Sequence, residues 1–358
     1  MTDLGIYSTI VELLKDNKEL ALATIVSKES PTPAGLSSKM IIKKENFETA
    51  GTIGGGCLEA EIISKAKKVL DTGKPEIVKY RLDEENPESW LICGGNVEIL
   101  IEYIHRGFFH TFQSAVNIIK ESSKGIICTL VEKNRTEKYI ISKKEWIGKK
   151  PDGEVLLKIE HQYDEIIENE NPVRVESGIF LDPLLPSPEL YVFGGGHISV
   201  YLSQFSKTTG FHTTVIDDRI KFASRNRFPI VDNVICSDFE DAFNKVKIGK
   251  NSYIVIVTRG HKYDELVLEK ALSTDAFYIG MIGSKKKVFT IIKRLYNKGI
   301  SKEKLLKVFS PIGLDIGAKT PEEIAVSIIS EIIKLRRNGE KKEINHLRST
   351  LNSVLSKV

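Results

Sequence analysis

A glycine-rich turn, followed at a fixed distance by an acid, is the feature with the clearest chemistry in this sequence. Residues 192–199 read VFGGGHIS, close to the G-x-G-x-x-G turn that joins a first strand to a first helix in dinucleotide-binding domains. In that turn one glycine permits a tight bend and the next lets the backbone approach a pyrophosphate, and these roles fall to Gly194 and Gly196. Asp217 or Asp218 lies about twenty residues on, where such domains place the acid that binds a ribose hydroxyl.

Further anion-binding side chains follow other predicted strands. In an open parallel sheet, ligands bind beyond the carboxyl ends of the strands, so these residues are expected to gather at one edge. The candidates are His197, Arg259, His261, Gly283, Ser284 and Lys285. Two uses stay open for them, a phosphate pocket or a hydride-transfer site with His261 as acid and base. His197, at a helix N-terminus, either donates to a phosphate or is a neutral histidine bonded to backbone.

Two cysteines stand beside glycine turns. Cys57 follows Gly54, Gly55 and Gly56 at the predicted start of a helix, a position that favours a thiolate. Cys93 precedes Gly94 and Gly95 next to a predicted strand. A thiolate attacks sulfur or binds a soft metal, and the glycines clear space for something to approach. Cys128 and Cys236 lie in apolar stretches and are expected to be buried small hydrophobic residues.

The elements that must position these groups fall into two halves. Residues 189–337 alternate strand and helix, the rhythm of a Rossmann-like parallel sheet. Residues 1–181 predict a mixed α+β domain, with a helix over 57–70 and a hairpin-rich antiparallel region over 114–179. Three prolines in 182–188 predict a linker without helix or central strand, and 338–358 a polar tail. The fold class is therefore α/β, with the Rossmann-like domain at the C-terminal end.

Composition narrows the class of protein. Of the 358 residues 41% are hydrophobic and 28% charged, and the net charge is +4, too dilute to predict nucleic-acid binding. No run approaches 18 apolar residues, and the start of the chain lacks a secretory pattern, so neither a membrane span nor export is expected. The four cysteines form no CxxC motif, which favours free thiols in a reducing cytoplasm.

Taken together, these segments resemble the XdhC/CoxI family, accessory factors of xanthine dehydrogenase and related molybdenum hydroxylases. The resemblance runs from residue 30 to about residue 335. It is carried, in the family's order, by GTIGGGCLE (51–59), CGGNVE (93–98), VFGGGHIS (192–199), TRGHKYD (258–264), YIGMIGSKKK (278–287) and SPIGLDIGAKTPEEIAVSI (310–328).

The resemblance implies a non-catalytic carrier of molybdenum cofactor, the molybdopterin in its mononucleotide or dinucleotide form. It implies that the cofactor is held while a cysteine desulfurase installs a sulfido ligand, and is then delivered to an apo molybdenum hydroxylase. Cys57 and Cys93 would contact the metal or its sulfur, the Rossmann half would hold the pterin phosphate or a nucleotide, and the chain would form a homodimer. The loop at 32–35 reads TPAG where the family often has an arginine, so an anion contact from that loop is not expected.

Two other functions compete with the carrier. An NAD(P)-dependent oxidoreductase would use Asp217 or Asp218 for the ribose and His261 as acid and base, but it leaves the first half unexplained. A binding or regulatory module with a vestigial nucleotide site would bind neither ligand.

Overall fold

The computed structural model of the chain describes residues 1–29, 35–81, 96–176 and 178–338. The chain forms two compact units, Met1–Ser187 and Pro188–Val358. Cys93, Gly94 and Gly95 and most of the 32–35 loop lie outside the described residues, as does the predicted tail beyond Asn338. Within the described ranges, no helix combines the length and the apolar character needed to cross a membrane.

The N-terminal unit begins with a helix and a five-stranded antiparallel sheet. Its elements are α1 (Asp3–Lys15), β1 (Leu20–Glu29), β2 (Lys39–Lys43), β3 (Thr49–Gly51), α2 (Gly56–Thr72), β4 (Glu76–Arg81) and β5 (Asn96–Ile104). The strands lie in the order β3-β2-β1-β5-β4. The predicted helix over 57–70 forms as α2, because Leu58, Ile62, Ala66, Val69 and Leu70 make one apolar stripe that packs on this sheet.

A second antiparallel sheet completes this unit. Its elements are α3 (Phe109–Lys120), β6 (Gly125–Val131), β7 (Thr136–Ser142), β8 (Glu145–Ile147), α4 (Gly153–Asn169), β9 (Val173–Glu176) and β10 (Ile179–Leu184), with strand order β8-β7-β6-β10-β9. The hairpin-rich prediction did not include α3 or the 17-residue helix α4. The signal for α4 was present, since Ile159, Tyr163 and Ile166 repeat at helical spacing and are buried.

The proline-rich stretch corrects one expectation. Residues 182–184 were predicted to belong to a linker without helix or central strand, yet β10, which lies between β6 and β9 in its sheet, runs through Pro183 to Leu184. Pro183 is tolerated because β9 pairs with β10 only as far as Leu181, while β6 pairs along its whole length. At Pro183 the strand therefore has a neighbour on one side, and the missing N–H costs no ladder hydrogen bond.

The C-terminal unit is a parallel sheet covered by helices. Its elements are β11 (Glu189–Phe193), α5 (His197–Thr208), β12 (His212–Asp217), β13 (Asn233–Cys236), α6 (Phe239–Ala242), β14 (Ser252–Ile256), α7 (His261–Ala271), β15 (Tyr278–Met281), α8 (Lys285–Asn297), α9 (Lys302–Leu305), β16 (Val308–Phe309) and α10 (Pro321–Asn338). The order β13-β12-β11-β14-β15-β16, parallel throughout, is that of a Rossmann sheet. This confirms the predicted fold class.

The central strands are buried on both faces. Phe193, Ile216 and Ile256 pack into one core cluster with residues of α7 and α8. Val192, Val215 and Val255, one position earlier, pack into another with residues of α5 and α10. Continuous apolar runs are typical of such strands, which is why their positions are visible in the sequence. The strand order reverses between β11 and β14, so the crevice of this sheet opens where those two strands end.

A histidine–carboxylate pair joins the starts of two of these strands and predicts a pH dependence. Glu189 Oε2 lies 2.7 Å from His212 Nδ1, and this bond raises the pKa of the half-buried His212. The protonated form is therefore held more tightly in the folded state, so its stabilisation is present below about pH 6.5, the pKa of an unfolded histidine, and is lost as pH rises through the raised folded pKa. We expect the free energy of unfolding to fall over that window, and His212→Gln to remove that component in denaturant titrations. An unchanged slope in the variant would contradict this assignment.

Candidate functional site

The turn between β11 and α5 is shaped by its glycines. Gly194 has φ +112°, and a Cβ atom there would overlap the carbonyl oxygen of Val257 and lie 2.7 Å from its carbonyl carbon. The turn is therefore pressed against the end of β14 and accepts no larger residue. Gly196 is the N-cap of α5, and a Cβ atom at that position would meet nothing within 4 Å, so space is open above it. Ser199, in place of a third glycine, is buried and donates to the Gly194 carbonyl.

Asp217 lies beside this turn at the end of β12, and both of its carboxylate oxygens are engaged by the protein. Oδ2 accepts from the Gly195 amide at 2.7 Å and from Arg219 Nη2 at 3.0 Å. Oδ1 accepts from the amide and Nε of Arg219 at 3.0 and 2.9 Å. Burial raises the pKa of Asp217, but these hydrogen bonds outweigh it and hold the pKa below its usual range. The carboxylate is thus an anchor for the glycine turn.

Asp218 is also paired. Its carboxylate meets the guanidinium of Arg259, with both Nη atoms donating and Nη2 at 2.7 Å from Oδ2. The same Nη2 donates to the Tyr263 hydroxyl at 2.9 Å, and hydrogen bonding to Asp218 raises the pKa of Arg259. The predicted anion ligand Arg259 therefore lies at the edge of the sheet in a bidentate ion pair.

The basic loop that follows these acids was missed by sequence reasoning. Arg219, Lys221, Arg225 and Arg227 fall within nine residues, a local charge density that composition averages away. Arg227 Nε donates to the Gly195 carbonyl at 2.8 Å, and its Nη2 is buried without a hydrogen-bond partner among the described residues. The Arg219 guanidinium lies 3.5 Å from the centroid of the Phe222 ring. A cationic loop against an open glycine turn favours a phosphate-bearing ligand.

The other predicted residues lie at helix starts after the neighbouring strands. His197, His261 and Lys285 are exposed in the first turns of α5, α7 and α8, and Ser284 is the N-cap of α8. Gly283 precedes that cap, with the Lys287 side chain packed against it. Asp264, which is fully buried, accepts from the Thr258 hydroxyl at 2.7 Å and forms an ion pair with Lys287. The pair ties the segments that follow β14 and β15 to each other.

The thiol-bearing turn of the N-terminal unit is also open. Gly54, Gly55 and Gly56 all have positive φ, and Cβ atoms placed on Gly55 and Gly56 would meet nothing within 4 Å. Cys57 is exposed in the first turn of α2.

Glu59, which sequence reasoning did not single out, holds this turn in place. Its Oε1 accepts from the Thr52 hydroxyl at 2.5 Å and from the amides of Ile53 and Gly55 at 3.1 and 3.0 Å. Partial burial raises the pKa of Glu59, but these hydrogen bonds have the larger effect, so its pKa lies below the usual value. The Glu59 carboxylate thus partly neutralises the positive electrostatic potential at the N-terminus of α2.

The remaining two cysteines differ in exposure. Cys128 is buried as expected, and burial raises the pKa of its thiol to about 12. Cys236 was expected to be buried and is exposed, because it ends the edge strand β13. Within the described ranges, no three His, Cys, Asp or Glu side chains come together as a metal site. Because Cys93 lies outside those ranges, its contact with the metal or its sulfur stays a prediction.

Comparisons with known proteins agree with these features. Residues 190–332 match the family model of the XdhC Rossmann domain, and residues 13–81 match that of the XdhC and CoxI family. The first match covers most of the parallel-sheet unit. The second includes the turn that carries Cys57.

Individual relatives extend over nearly the whole chain. It is 26% identical over 347 residues to a probable xanthine dehydrogenase subunit of Bacillus subtilis (strain 168), covering 93% of this chain and 98% of that protein. It is 20% identical over 335 residues to the molybdenum cofactor insertion chaperone PaoD of Escherichia coli (strain K12), covering 92% of this chain and 88% of that protein. The crystal structure of a xanthine dehydrogenase from Bacillus halodurans is similar with a TM-score of 0.81 and 25% identity, over 97% of this chain and 100% of that one.

The glycine turn yields a paired test. Gly194→Ala should destabilise the C-terminal unit by about 2 kcal/mol or more, because a left-handed conformation and backbone overlap both oppose a Cβ atom. Gly196→Ala, two residues away in open space, should cost about 1 kcal/mol or less. Denaturant unfolding of both variants measures the difference. Equal losses would mean that contact with β14 does not decide the glycine at position 194.

Proposed function

The chain belongs to the XdhC and CoxI family, and from that membership we propose that it binds molybdenum cofactor and assists its insertion into a xanthine dehydrogenase-type hydroxylase. The observation that carries the proposal is the exposed thiol of Cys57 on a turn of three glycines open to approach. A thiolate is a soft ligand and a sulfur nucleophile, which suits a metal centre with a sulfur ligand. The PaoD relative, a molybdenum cofactor insertion chaperone, points the same way.

The parallel sheet would bind the phosphate end of the cofactor. The open N-cap at Gly196, the basic loop at 219–227 and Arg259 supply amides and cations at the carboxyl edge. His197, Ser284 and Lys285 add exposed donors at the starts of α5 and α8. These groups favour a phosphate monoester or diphosphate, the anion of either the mononucleotide or the dinucleotide form. When bound, the cofactor supplies the metal centre that the client hydroxylase uses.

The finer steps belong to the same proposal. Cys57, with Cys93, would contact the molybdenum or its sulfur while a cysteine desulfurase installs the sulfido ligand. The loaded chain, as a homodimer, would then meet the apo-hydroxylase. The chain itself would act as a carrier without turnover.

The oxidoreductase alternative is weakened by the two acids. A nicotinamide dinucleotide needs a carboxylate that accepts from the ribose hydroxyls. The oxygens of Asp217 each accept two hydrogen bonds from the protein, and Asp218 is bound by Arg259. Either acid would have to give up these bonds before it met a ribose, which weighs against NAD(P) as the working ligand.

The thiol is tested by cofactor content. Protein purified from cells that make molybdenum cofactor should carry molybdenum and pterin, and Cys57→Ala should lose most of both. Cys236→Ala is the matched control, since it removes an exposed thiol from the other unit. Elemental analysis and pterin fluorescence measure the two components. If the wild type lacks both and binds NAD tightly, the carrier function is wrong; equal content in all three proteins would remove Cys57 from the site.

The anion pocket is tested separately. Arg259→Met removes a cation and leaves Asp218 with only the more distant Arg219, whose Nε lies 3.8 Å from Asp218 Oδ1. Cofactor affinity should therefore fall about tenfold or more, the range for one charged hydrogen bond. Arg294→Met is the control, because it removes an exposed guanidinium of α8 that pairs with Glu265 of α7, and it should bind as the wild type does. Titration followed by pterin fluorescence gives both affinities. Unchanged binding by Arg259→Met would place the phosphate elsewhere.

A further inference from the structure

A small cavity, with a few buried polar groups on a mostly apolar wall, lies between the two sheets of the N-terminal unit. Its volume is about 40 Å³, and both sheets contribute to its walls. The first sheet supplies Thr24 of β1 and Glu102 of β5, and the second supplies Thr129 of β6, Lys138 of β7 and Phe180 of β10. None of these residues belongs to the glycine turns, so the cavity is separate from the proposed cofactor site.

The charged pair in this cavity is almost wholly buried and incompletely bonded. The side chains of Glu102 and Lys138 are 1% and 4% exposed, and Lys138 Nζ lies 2.8 Å from Glu102 Oε1. Lys138 also donates to the Thr129 hydroxyl at 2.7 Å. Glu102 Oε2, however, is buried and accepts no hydrogen bond from any described residue. A buried carboxylate oxygen without a hydrogen-bond donor is strongly disfavoured, so we expect a donor to Glu102 Oε2 inside the cavity.

A second buried lysine on the cavity wall fixes the charge that the partner can carry. Lys39, 4% exposed, is bonded to Asp182 Oδ2 at 2.5 Å, Asp3 Oδ1 at 3.0 Å and the Ser37 hydroxyl at 2.7 Å. Each lysine therefore has a carboxylate partner. Another cation would face two ammonium groups, and an anion would face Glu102, so an uncharged donor fits best.

From this geometry we propose that the cavity is an internal hydration site in which a water molecule donates to Glu102 Oε2. A cavity needs about 10–15 Å³ to hold one water, so a volume of about 40 Å³ has room for about three, and the polar groups on its wall give at least one of them hydrogen-bond partners. A water there also meets the Lys138 ammonium, which has three N–H groups and makes two hydrogen bonds within the described residues.

The hydration site joins the two sheets. The water completes the pair between β5 of the first sheet and β7 of the second, where an unhydrated pair would leave a bare oxygen. On the same wall, the Lys39 side chain connects β2 to Asp182 of β10, and the Lys39 carbonyl accepts the Thr52 amide at 3.0 Å at the base of the Cys57 turn. The inference does not depend on the proposed cofactor.

The test is a crystal structure of the full chain at a resolution that shows ordered waters, together with water NMR relaxation. In the wild type, we expect a density peak at hydrogen-bond distance from Glu102 Oε2, about 2.5–3.0 Å. The double variant Glu102→Leu with Lys138→Met removes both charges, and the count of long-lived internal waters should fall by at least one. Lys144→Met with Asp164→Leu removes an exposed ion pair and should leave the count unchanged.

Several outcomes would overturn the proposal. An empty cavity in the wild type, or Glu102 Oε2 bonded directly to a protein donor, would exclude the water. A water that persists in the double variant would show that Glu102 does not hold it. If the double variant fails to fold, the wild-type density decides alone.

Discussion

The carboxylate of Asp217 is the interaction on which the candidate phosphate site depends. It binds the Gly195 amide on one side and the amide and guanidinium of Arg219 on the other, so a single buried charge fixes both the glycine turn and the start of the basic loop. On the side away from Asp217, the turn lies against the Val257 carbonyl, which is possible because Gly194 has no side chain. Held from both directions, the turn presents Gly196 and the α5 N-terminus to open space. A hydrogen bond to a charged group contributes about 1.5–3 kcal/mol, so the anchor is strong for its size.

The N-terminal unit uses the same device at its thiol turn. There Glu59 accepts from the amides of Ile53 and Gly55, as Asp217 accepts from Gly195 in the other unit. In each case a carboxylate takes up the amides of a glycine-rich turn, and a helix begins next to it. The turn can then remain open above without losing its shape. Because such a turn is already ordered before binding, less conformational entropy is lost when a ligand binds to it.

Charge is distributed unevenly around the two turns. Arginines and lysines surround the parallel-sheet edge, where Arg227, Arg259 and Lys285 lie near exposed helix starts. At the thiol turn, the Glu59 carboxylate accepts hydrogen bonds from the backbone amides. A phosphate is therefore attracted to the turn between β11 and α5. The exposed thiol of Cys57, at the turn before α2, suits a soft metal or a sulfur group.

The sequence by itself determined the strands of the parallel sheet and the glycine turns before α2 and α5, because burial on both faces of a parallel sheet and the special φ of glycine leave local signatures. The strands after the linker, helix α2 and the carboxyl-edge position of His261, Ser284 and Lys285 were all visible in this way. What a side chain does with its hydrogen bonds depends on residues distant in sequence. Only the tertiary structure decided that Asp217 is an anchor, that Arg259 neutralises Asp218, that Glu59 holds the thiol turn and that Cys236 is exposed at a sheet edge. Pro183 in a strand belongs with these, since one-sided pairing cannot be read from composition. Sequence spacing predicts which side chains approach a site. Three-dimensional packing decides which of them already form hydrogen bonds or ion pairs within the protein.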